Sequence, residues 1–292
     1  MTDDPFVTHR SLLFTVAYEM LGSAADAEDV VQEAWLRWAD LDAAARAEVR
    51  DPRAYLVRIV TRQALNRLRT LARRREDYVG EWLPEPLLTS ADVAEDVELA
   101  ESVSIAMLTV LETLGPAERA VFVLREVFEV PYDEIAEAVG KTPAAARQVA
   151  RRAREHVAAR RPRMQVDRAE QQAVVERFLS SLRTGDLAGL LEVLAPDVVL
   201  RNDGGGVVGA ARHPIVGADK VSRLLATFPK QSRGASVTTV WINGGPAARV
   251  ELEGEVAGAV SIVVEDGRIS RMYAIWNPHK LTRIDAPALL SR

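Results

Sequence analysis

Four side chains near the middle of the chain, Arg147, Gln148, Arg151 and Arg154, are of the types that read and grip nucleic acid. A guanidinium fork or a side-chain amide hydrogen-bonds base edges, and arginine also pairs with phosphate oxygens. Their spacing sets them on the polar surface of one helix beside Arg152, while Ala146, Val149, Ala150 and Ala153 face the other way. Thr142 is the expected N-cap of that helix and Pro143 its first residue, and the small residues that follow let the backbone approach a major groove.

The element that must position this helix lies just before it. Tyr132, Ile135, Ala136 and Val139 share one face of a preceding helix, and Gly140 is the residue favoured just past a helix end. Two helices joined by a short glycine-containing turn constitute a helix-turn-helix, which spans 131–157 here. Taken alone, the segment also fits a solvated basic helix closing a bundle.

A second basic stripe stands upstream. Asp51 and Pro52 open a long helix reaching about Arg75, with Tyr55, Leu56, Ile59, Val60, Ala64 and Leu68 turned inward. Arg58, Arg62, Asn66, Arg69 and Arg73 recur on another side, and no acid interrupts 52–75. Such a stripe repels itself unless something anionic meets it, and nucleic acid is the favoured anion. Before it, Ser23 caps a helix whose apolar side is read as Val30, Val31, Ala34, Trp35 and Trp38. Its opposite face carries Asp26, Asp29, Gln32 and Glu33, with Leu36 and Arg37 beside them. An earlier helix buries Leu13, Val16, Ala17, Met20 and Leu21 and ends at Gly22; the polar stretch from Ala39 to Arg50 reads as a link.

The whole chain of 292 residues carries a net charge of −5, but the charge is segregated. Residues 1–163 hold 22 basic and 28 acidic side chains in alternating blocks, so local stripes bind phosphate although the total is acidic, and the acidic surfaces call for a protein partner. A hydrophobic content of 48% suffices for two or three packed domains. There is no cysteine, and the four histidines are not paired at ligand spacing, so neither disulfides nor thiolate zinc sites are expected, and no metal or other cofactor. The absence of a long apolar run or a basic leader predicts a cytoplasmic protein without membrane contact.

From Glu76 to Ser102 the chain turns acidic and aperiodic, as a linker does, yet Trp82, Leu83, Leu87 and Leu88 are too apolar for an idle tether. Helices resume near Ser104; Gly115 and Pro116 start one that buries Val121, Phe122, Leu124 and Phe128. Past Arg163 the pattern becomes α+β. Helices over 167–183 and to Leu194 precede a strand at 197–202, a turn at 203–206 and a return strand at 207–211. A helix at 218–228 and strands at 236–243, 247–253, 255–265 and 268–276 complete helices packed on a curved antiparallel sheet.

The first 160 or so residues resemble the extracytoplasmic-function (ECF) sigma factors of bacterial RNA polymerase, in three segments in the right order. AEDVVQEAWLRW at 27–38 is similar to the region 2 helix that binds the polymerase clamp, and PRAYLVRIVTRQALNRLR at 52–69 to the helix that reads and melts the −10 element. The segment from LETLGPAERAVF to the end of the helix-turn-helix resembles region 4, whose second helix reads the −35 element. Arg62 and Asn66 stand where that family often has Asn and Asp, and Ala145 and Ala146 replace a common Thr-Val pair. The stretch from about 167 to 280 resembles a SnoaL-like domain. WLPEP at 82–86, DGGG at 203–206 and NPHK at 277–280 together resemble the SigJ-like group bearing that extension, with His279 in place of the usual acid.

The resemblance implies a multidomain chain: two all-α domains that bind DNA and polymerase, the second with the helix-turn-helix, then an α+β cone-shaped SnoaL-like domain. The expected boundaries are region 2 at 1–76, a linker at 77–103, region 4 at 104–163 and the regulatory domain at 164–292. It implies polymerase contacts, at clamp and flap, with Asp26, Glu28, Asp29, Gln32 and Glu33 toward the clamp; −10 contacts through Arg58, Arg62, Asn66 and Arg69; and −35 contacts through Arg147, Gln148, Arg151 and Arg154. The linker residues Trp82, Leu83 and Pro84 are expected to dock on Asp203, Gly204, Gly205 and Gly206 with Asn277 and Pro278, through which the C-terminal domain controls initiation. A small ligand or protein partner of that domain is left open. Two rivals are a one-component DNA-binding regulator with a ligand-sensing cone, and an enzyme using Asp203, His213, Tyr273 and Trp276 if a polar dyad converges in the cone.

Overall fold

The computed structural model describes residues 4–90, 93, 96–161, 168–231 and 234–292. They divide into two compact units, one of Met1–Glu76, Leu108–Arg161 and Leu289–Arg292, the other of Asp77–Met107 and Pro162–Ala288.

The first unit is helical. Helix α1 (Pro5–Leu21) is capped by Asp4 and stops at Gly22, whose φ of 66° lies in the left-handed region. Ser23 accepts the Asp26 amide to start α2 (Ala24–Ala39). The expected link at 39–50 contains a helix, α3 (Ala43–Glu48), because Asp42 caps an alanine-rich turn. Asp51 accepts the Ala54 amide at 2.9 Å and opens α4 (Pro52–Glu76). Leu56, Ile59, Val60, Ala64 and Leu68 of α4 are buried, Tyr55 is half-buried, and the helix packs on α1 and α2. In α2 the buried side is Ala27, Val30, Val31, Ala34 and Trp38; Trp35 is 44% exposed, one position out of step with that stripe and contrary to the expectation.

The chain continues through α5 (Val97–Val103), α6 (Ile105–Leu111) and α7 (Pro116–Phe122), the last prolonged by a π turn over Val123–Val127. Helix α5 stands where an aperiodic linker was expected, started by Asp96 accepting the Leu99 amide. In the first unit the core of α7 holds a charge: Arg119 is 2% exposed, donates from Nε to the Glu19 carbonyl at 2.9 Å and pairs with Glu112. Burial pushes this guanidinium down to about 9, against the pull of Glu19, and it remains charged at neutral pH. Helices α8 (Tyr132–Val139) and α9 (Pro143–Ala158) complete the unit, and the Ser291 amide donates to Thr15.

The second unit begins its C-terminal part with α10 (Arg168–Thr184) and α11 (Leu187–Val193). A sheet follows: β1 (Leu194–Asp203), β2 (Ile215–Val216), β3 (Ala235–Ile242), β4 (Gly245–Leu252), β5 (Glu255–Glu265) and β6 (Arg268–Ile275). Helices α12 (Ala218–Ala226) and α13 (Phe228–Gln231) lie between β2 and β3. Strand order is β2-β1-β6-β5-β4-β3, all antiparallel except β1 with β6, which run parallel and so depart from the expected antiparallel plan. The return strand expected at 207–211 is not formed. Val207 and Val208 both donate to the Gly204 carbonyl, which continues the turn, and Ile215–Val216 pairs with β1 instead.

Alternation along the strands gives the sheet two apolar faces. Val198, Leu200, Val260, Ile262, Met272 and Ala274 pack with Val174, Val175, Phe178 and Leu182 of α10. Fully burying one side chain such as Phe178 contributes about 1.5–3 kcal/mol. Ala247, Ala259, Val263, Tyr273 and Ile275 turn to the opposite face, where Leu83, Ile105 and Ala106 cover them.

Candidate nucleic-acid interface and linker strap

The helix-turn-helix is built from local signals. Gly140 ends α8 at φ 67° and its amide returns to the Ala136 carbonyl; Thr142 then accepts the Ala145 amide at 3.2 Å and Pro143 opens α9. Ala146, Val149, Ala150, Ala153 and Val157 are buried, which leaves Arg147, Gln148, Arg151, Arg152 and Arg154 exposed on the opposite face. Arg147 lies 5.6 Å from the ring centre of Tyr132, Arg151 pairs with Glu155 at 3.4 Å and Arg154 with Glu126 at 3.5 Å. Exposed pairs of this kind are worth about 0.2–1 kcal/mol and yield readily to phosphate.

The second stripe is met by an acid, from a helix that sequence spacing could not connect to it. Arg58 pairs with the carboxylate of Glu137 on α8, and Arg62 Nη2 donates to the Glu137 backbone carbonyl at 3.0 Å. Arg58 also lies over the Tyr55 ring, while Arg69 Nη1 donates to Asn66 Oδ1 at 3.3 Å and both remain exposed. On α2, Asp26 and Asp29 share Arg67 at 2.6 and 2.7 Å, and Glu28 pairs with Arg10 at 2.8 Å. Gln32 and Glu33 are exposed beside Trp35 and Leu36, so the outer face of α2 is part acidic and part apolar. The hydrogen bond to Asp26 raises Arg67 above the ordinary arginine range. Neither Arg67 nor Glu137 was singled out from the sequence.

In the second unit residues 77–89 form a strap along the sheet. Asp203, at the end of β1, is fully buried and accepts from four donors: Tyr78 Oη at 2.6 Å and the Gly205 amide at 3.0 Å on Oδ1, the Leu83 amide at 2.8 Å and Lys280 Nζ at 2.7 Å on Oδ2. Lys280 is 7% exposed, donates to the Leu83 carbonyl at 2.5 Å and sits over the rings of Trp82 and Tyr78 at 4.1 and 5.0 Å. Asn277 donates to Tyr78 Oη at 2.8 Å. Burial, with the Asp203 carboxylate second, pushes the Tyr78 phenol well above the usual tyrosine range. Pro84 is buried and Pro278 exposed.

The glycines are required here. Gly205 has φ 61° and a Cβ would overlap the Asn277 amide; Gly206, at φ 73°, would bring a Cβ to 3.0 Å from Val79; at Gly204 one would overlap the Val208 carbonyl. Farther along, Asn243 accepts the Leu87 amide at 2.8 Å and donates to the Val103 carbonyl at 2.6 Å; Leu88 bridges Ile242. The strap thus brings together the expected Trp82, Leu83, Asp203, Gly205 and Asn277, and adds Tyr78, Asn243 and Lys280. Lys280 closes the NPHK motif, and Asn243, with φ 53°, precedes the Gly244-Gly245 turn, which are the signals that could have marked them.

No acid-base dyad assembles from Asp203, His213, Tyr273 and Trp276. Trp276 lines the cone, Tyr273 and Asp203 point to the strap side of the sheet, and His213 is exposed.

The architecture is that of a helix-turn-helix protein with a fused α+β cone, and the comparisons refine this class. Residues 6–74 match Sigma-70 region 2, residues 104–157 Sigma-70, region 4, and residues 175–276 the SnoaL-like domain. The chain belongs to the ECF RNA polymerase sigma factors. It is 38% identical to ECF RNA polymerase sigma factor SigJ of Mycobacterium tuberculosis, over 95% of this chain and 92% of that one. It is 34% identical to probable ECF RNA polymerase sigma factor SigI of the same species, over 95% and 94%. The crystal structure of Mycobacterium tuberculosis extracytoplasmic function sigma factor SigJ superposes with a TM-score of 0.77 at 35% identity, covering 96% of this chain and 98% of that one. Among the described residues no helix is long and apolar enough to cross a membrane.

Proposed function

We propose that this sigma factor binds the RNA polymerase core in the cytoplasm and directs initiation at promoters through two DNA-reading surfaces. The observation that carries the reading is the exposed face of α9, where Arg147, Gln148 and Arg151 project opposite a buried alanine and valine seam. In this reading α9 enters the −35 major groove with Arg147, Gln148, Arg151 and Arg154. Arg58, Arg62, Asn66 and Arg69 hold the −10 strand, and the outer face of α2, with Glu28, Gln32 and Glu33, meets the polymerase clamp. Asp26 and Asp29 serve α2 partly by fixing Arg67.

Glu137 occupies Arg58 and Arg62, so engagement of the −10 strand requires those contacts to be exchanged for phosphate. The strap is the regulatory contact: it fixes the linker at 77–89 on the C-terminal domain and thereby limits where the two DNA-reading segments on either side of it can go. The names of the relatives, all sigma factors, favour this over a one-component regulator, and the cone is assigned regulation and no catalysis.

In vitro transcription with core polymerase tests the reading. The wild-type chain is expected to direct starts from a selected promoter and Arg147→Ala/Arg151→Ala to lose them while still binding core. Failure of the wild-type chain to bind core polymerase would overturn it.

A further inference from the structure

Arg147, near the start of α9, reaches back to the helix before it. Its guanidinium carbon lies 5.6 Å from the ring centre of Tyr132, the first residue of α8, and that of Arg125 lies 4.9 Å from the same centre. Both distances fall within the roughly 6 Å over which an aromatic ring attracts a cation. Arg125 is itself held: it is half-buried, and its Nη1 donates to the Val130 carbonyl at 3.2 Å and to the Glu129 carbonyl at 3.4 Å. Glu129 has a φ of 53°, in the left-handed region, where the chain passes from the π turn toward α8. One ring therefore links this turn to the helix that carries Arg147.

The other paired arginines of α9 are held differently. Arg151 and Arg154 direct N–H groups to Glu155 and Glu126 at 3.4 and 3.5 Å, and those pairs must open before a phosphate or a base takes their place. A ring attracts a guanidinium without consuming any of its N–H donors, so Arg147 keeps its fork for the groove while its side chain is restrained. Ordering a free arginine on DNA costs rotamer entropy, and a side chain already restrained loses less of it.

We propose that Tyr132 is a positioning residue for −35 recognition: its ring, seated against Arg125, holds Arg147 in place before DNA arrives and reads no base itself. This rests on the reading of α9 as the −35 helix.

The test measures binding of the full chain to a −35 duplex, from a promoter it selects, by fluorescence anisotropy. Tyr132→Leu is expected to weaken binding about two- to fivefold, the effect of an exposed cation–π contact, and Tyr132→Phe, which keeps the ring, to bind as the wild type does. In the Arg147→Ala background Tyr132→Leu is expected to change the affinity no further, because the side chain it positions is absent. A loss in Tyr132→Phe, or an undiminished loss in the Arg147→Ala background, would assign the effect to the hydroxyl or to folding of the motif and overturn the proposal. A measurement that needs no variant accompanies these. Nitrogen relaxation of the free wild-type chain should show the Arg147 Nε–H more restricted than that of Arg152, which is exposed and stacks on no ring among the described residues; equal mobility would overturn the proposal whatever DNA the chain reads. If Arg147→Ala alone binds as tightly as the wild type, the −35 reading falls and the proposal with it. If Arg147→Ala loses affinity and Tyr132→Leu does not, only the proposal falls.

Discussion

Replacing Asp203 by Asn changes one atom of the strap lock and should break half of the hydrogen bonds that this side chain accepts. In the wild-type chain each carboxylate oxygen accepts two donors, Tyr78 and Gly205 on one side, Leu83 and Lys280 on the other. An amide must turn its NH2 toward one of these donor pairs, so two hydrogen bonds disappear in either orientation and Lys280 stays buried without a counter-ion. Removing one member of a buried ion pair costs about 3–5 kcal/mol. Lys280 keeps the Leu83 carbonyl and the rings of Trp82 and Tyr78, which argues for the low end, about 3 kcal/mol. Local opening of the strap should then speed exchange of the Leu83 amide about a hundredfold. Amide hydrogen exchange on the full chain reads this directly, with urea denaturation as the companion measurement. Adding Lys280→Met should recover part of the loss, because the stranded cation is gone. A cost below about 1 kcal/mol with unchanged Leu83 exchange would refute the reasoning and leave the strap held by the burial of Leu83 and Leu87 and by its contacts to Asn243 and Asn277.

Other perturbations separate the remaining parts. Arg147→Ala/Arg151→Ala should weaken binding of duplex −35 DNA by about 10- to 100-fold for each bidentate arginine–base pairing removed, with little change in thermal stability; an electrophoretic mobility series measures it. Glu137→Ala should cost under about 1 kcal/mol, since its pair with Arg58 is solvent-exposed, and should raise the affinity of the chain for single-stranded −10 DNA, measured by fluorescence anisotropy. Gly205→Ala should destabilise the C-terminal unit by at least about 1–2 kcal/mol from its positive φ, with the Asn277 overlap added, as read by urea denaturation. The raised phenol of Tyr78 means that its stabilising contribution is complete below the ordinary tyrosine pKa of about 10 and is lost as pH rises above it. Strap exchange should therefore accelerate with alkaline pH beyond its intrinsic rate, and Tyr78→Phe should abolish that excess.

The helix-turn-helix was legible because its signals are local: Gly140, Thr142 and Pro143 lie within four positions of one another, and the alanine seam follows the helical repeat. Strands β1, β3, β4, β5 and β6 were legible to within a few residues for the same reason, alternation being a neighbour property. What escaped depends on distance along the chain or on competition between weak local signals. Arg58 finds Glu137 across 79 positions and Lys280 finds Leu83 across 197, and no periodicity reports such pairings. Val207–Ala211 read as a strand because Val207 and Val208 are β-branched, but the glycine turn before them continues and both are exposed. Helices α3 and α5 were missed because each is short and its signal is one capping aspartate, Asp42 or Asp96.

The position of the lock follows from the period of a β-strand. Adjacent residues on β1 face opposite sides of the sheet, so Asn202 reaches the cone while Asp203 reaches the strap. After β6 the chain repeats the arrangement: Trp276 turns to the cone beside Asn202, Asn277 turns to Tyr78, and the amides of both donate to the Asp203 carbonyl at 2.7 and 3.0 Å. The parallel pairing of β1 with β6 is what sets these two strand ends side by side, since Asp203 is in register with Ile275. Asn202 on the cone side and Asp203 on the strap side therefore share one backbone junction. A shift of β1 by one residue would exchange their faces and send the carboxylate into an apolar cone without Lys280. That penalty fixes the register at this end of the sheet, and with it the placement of the strap.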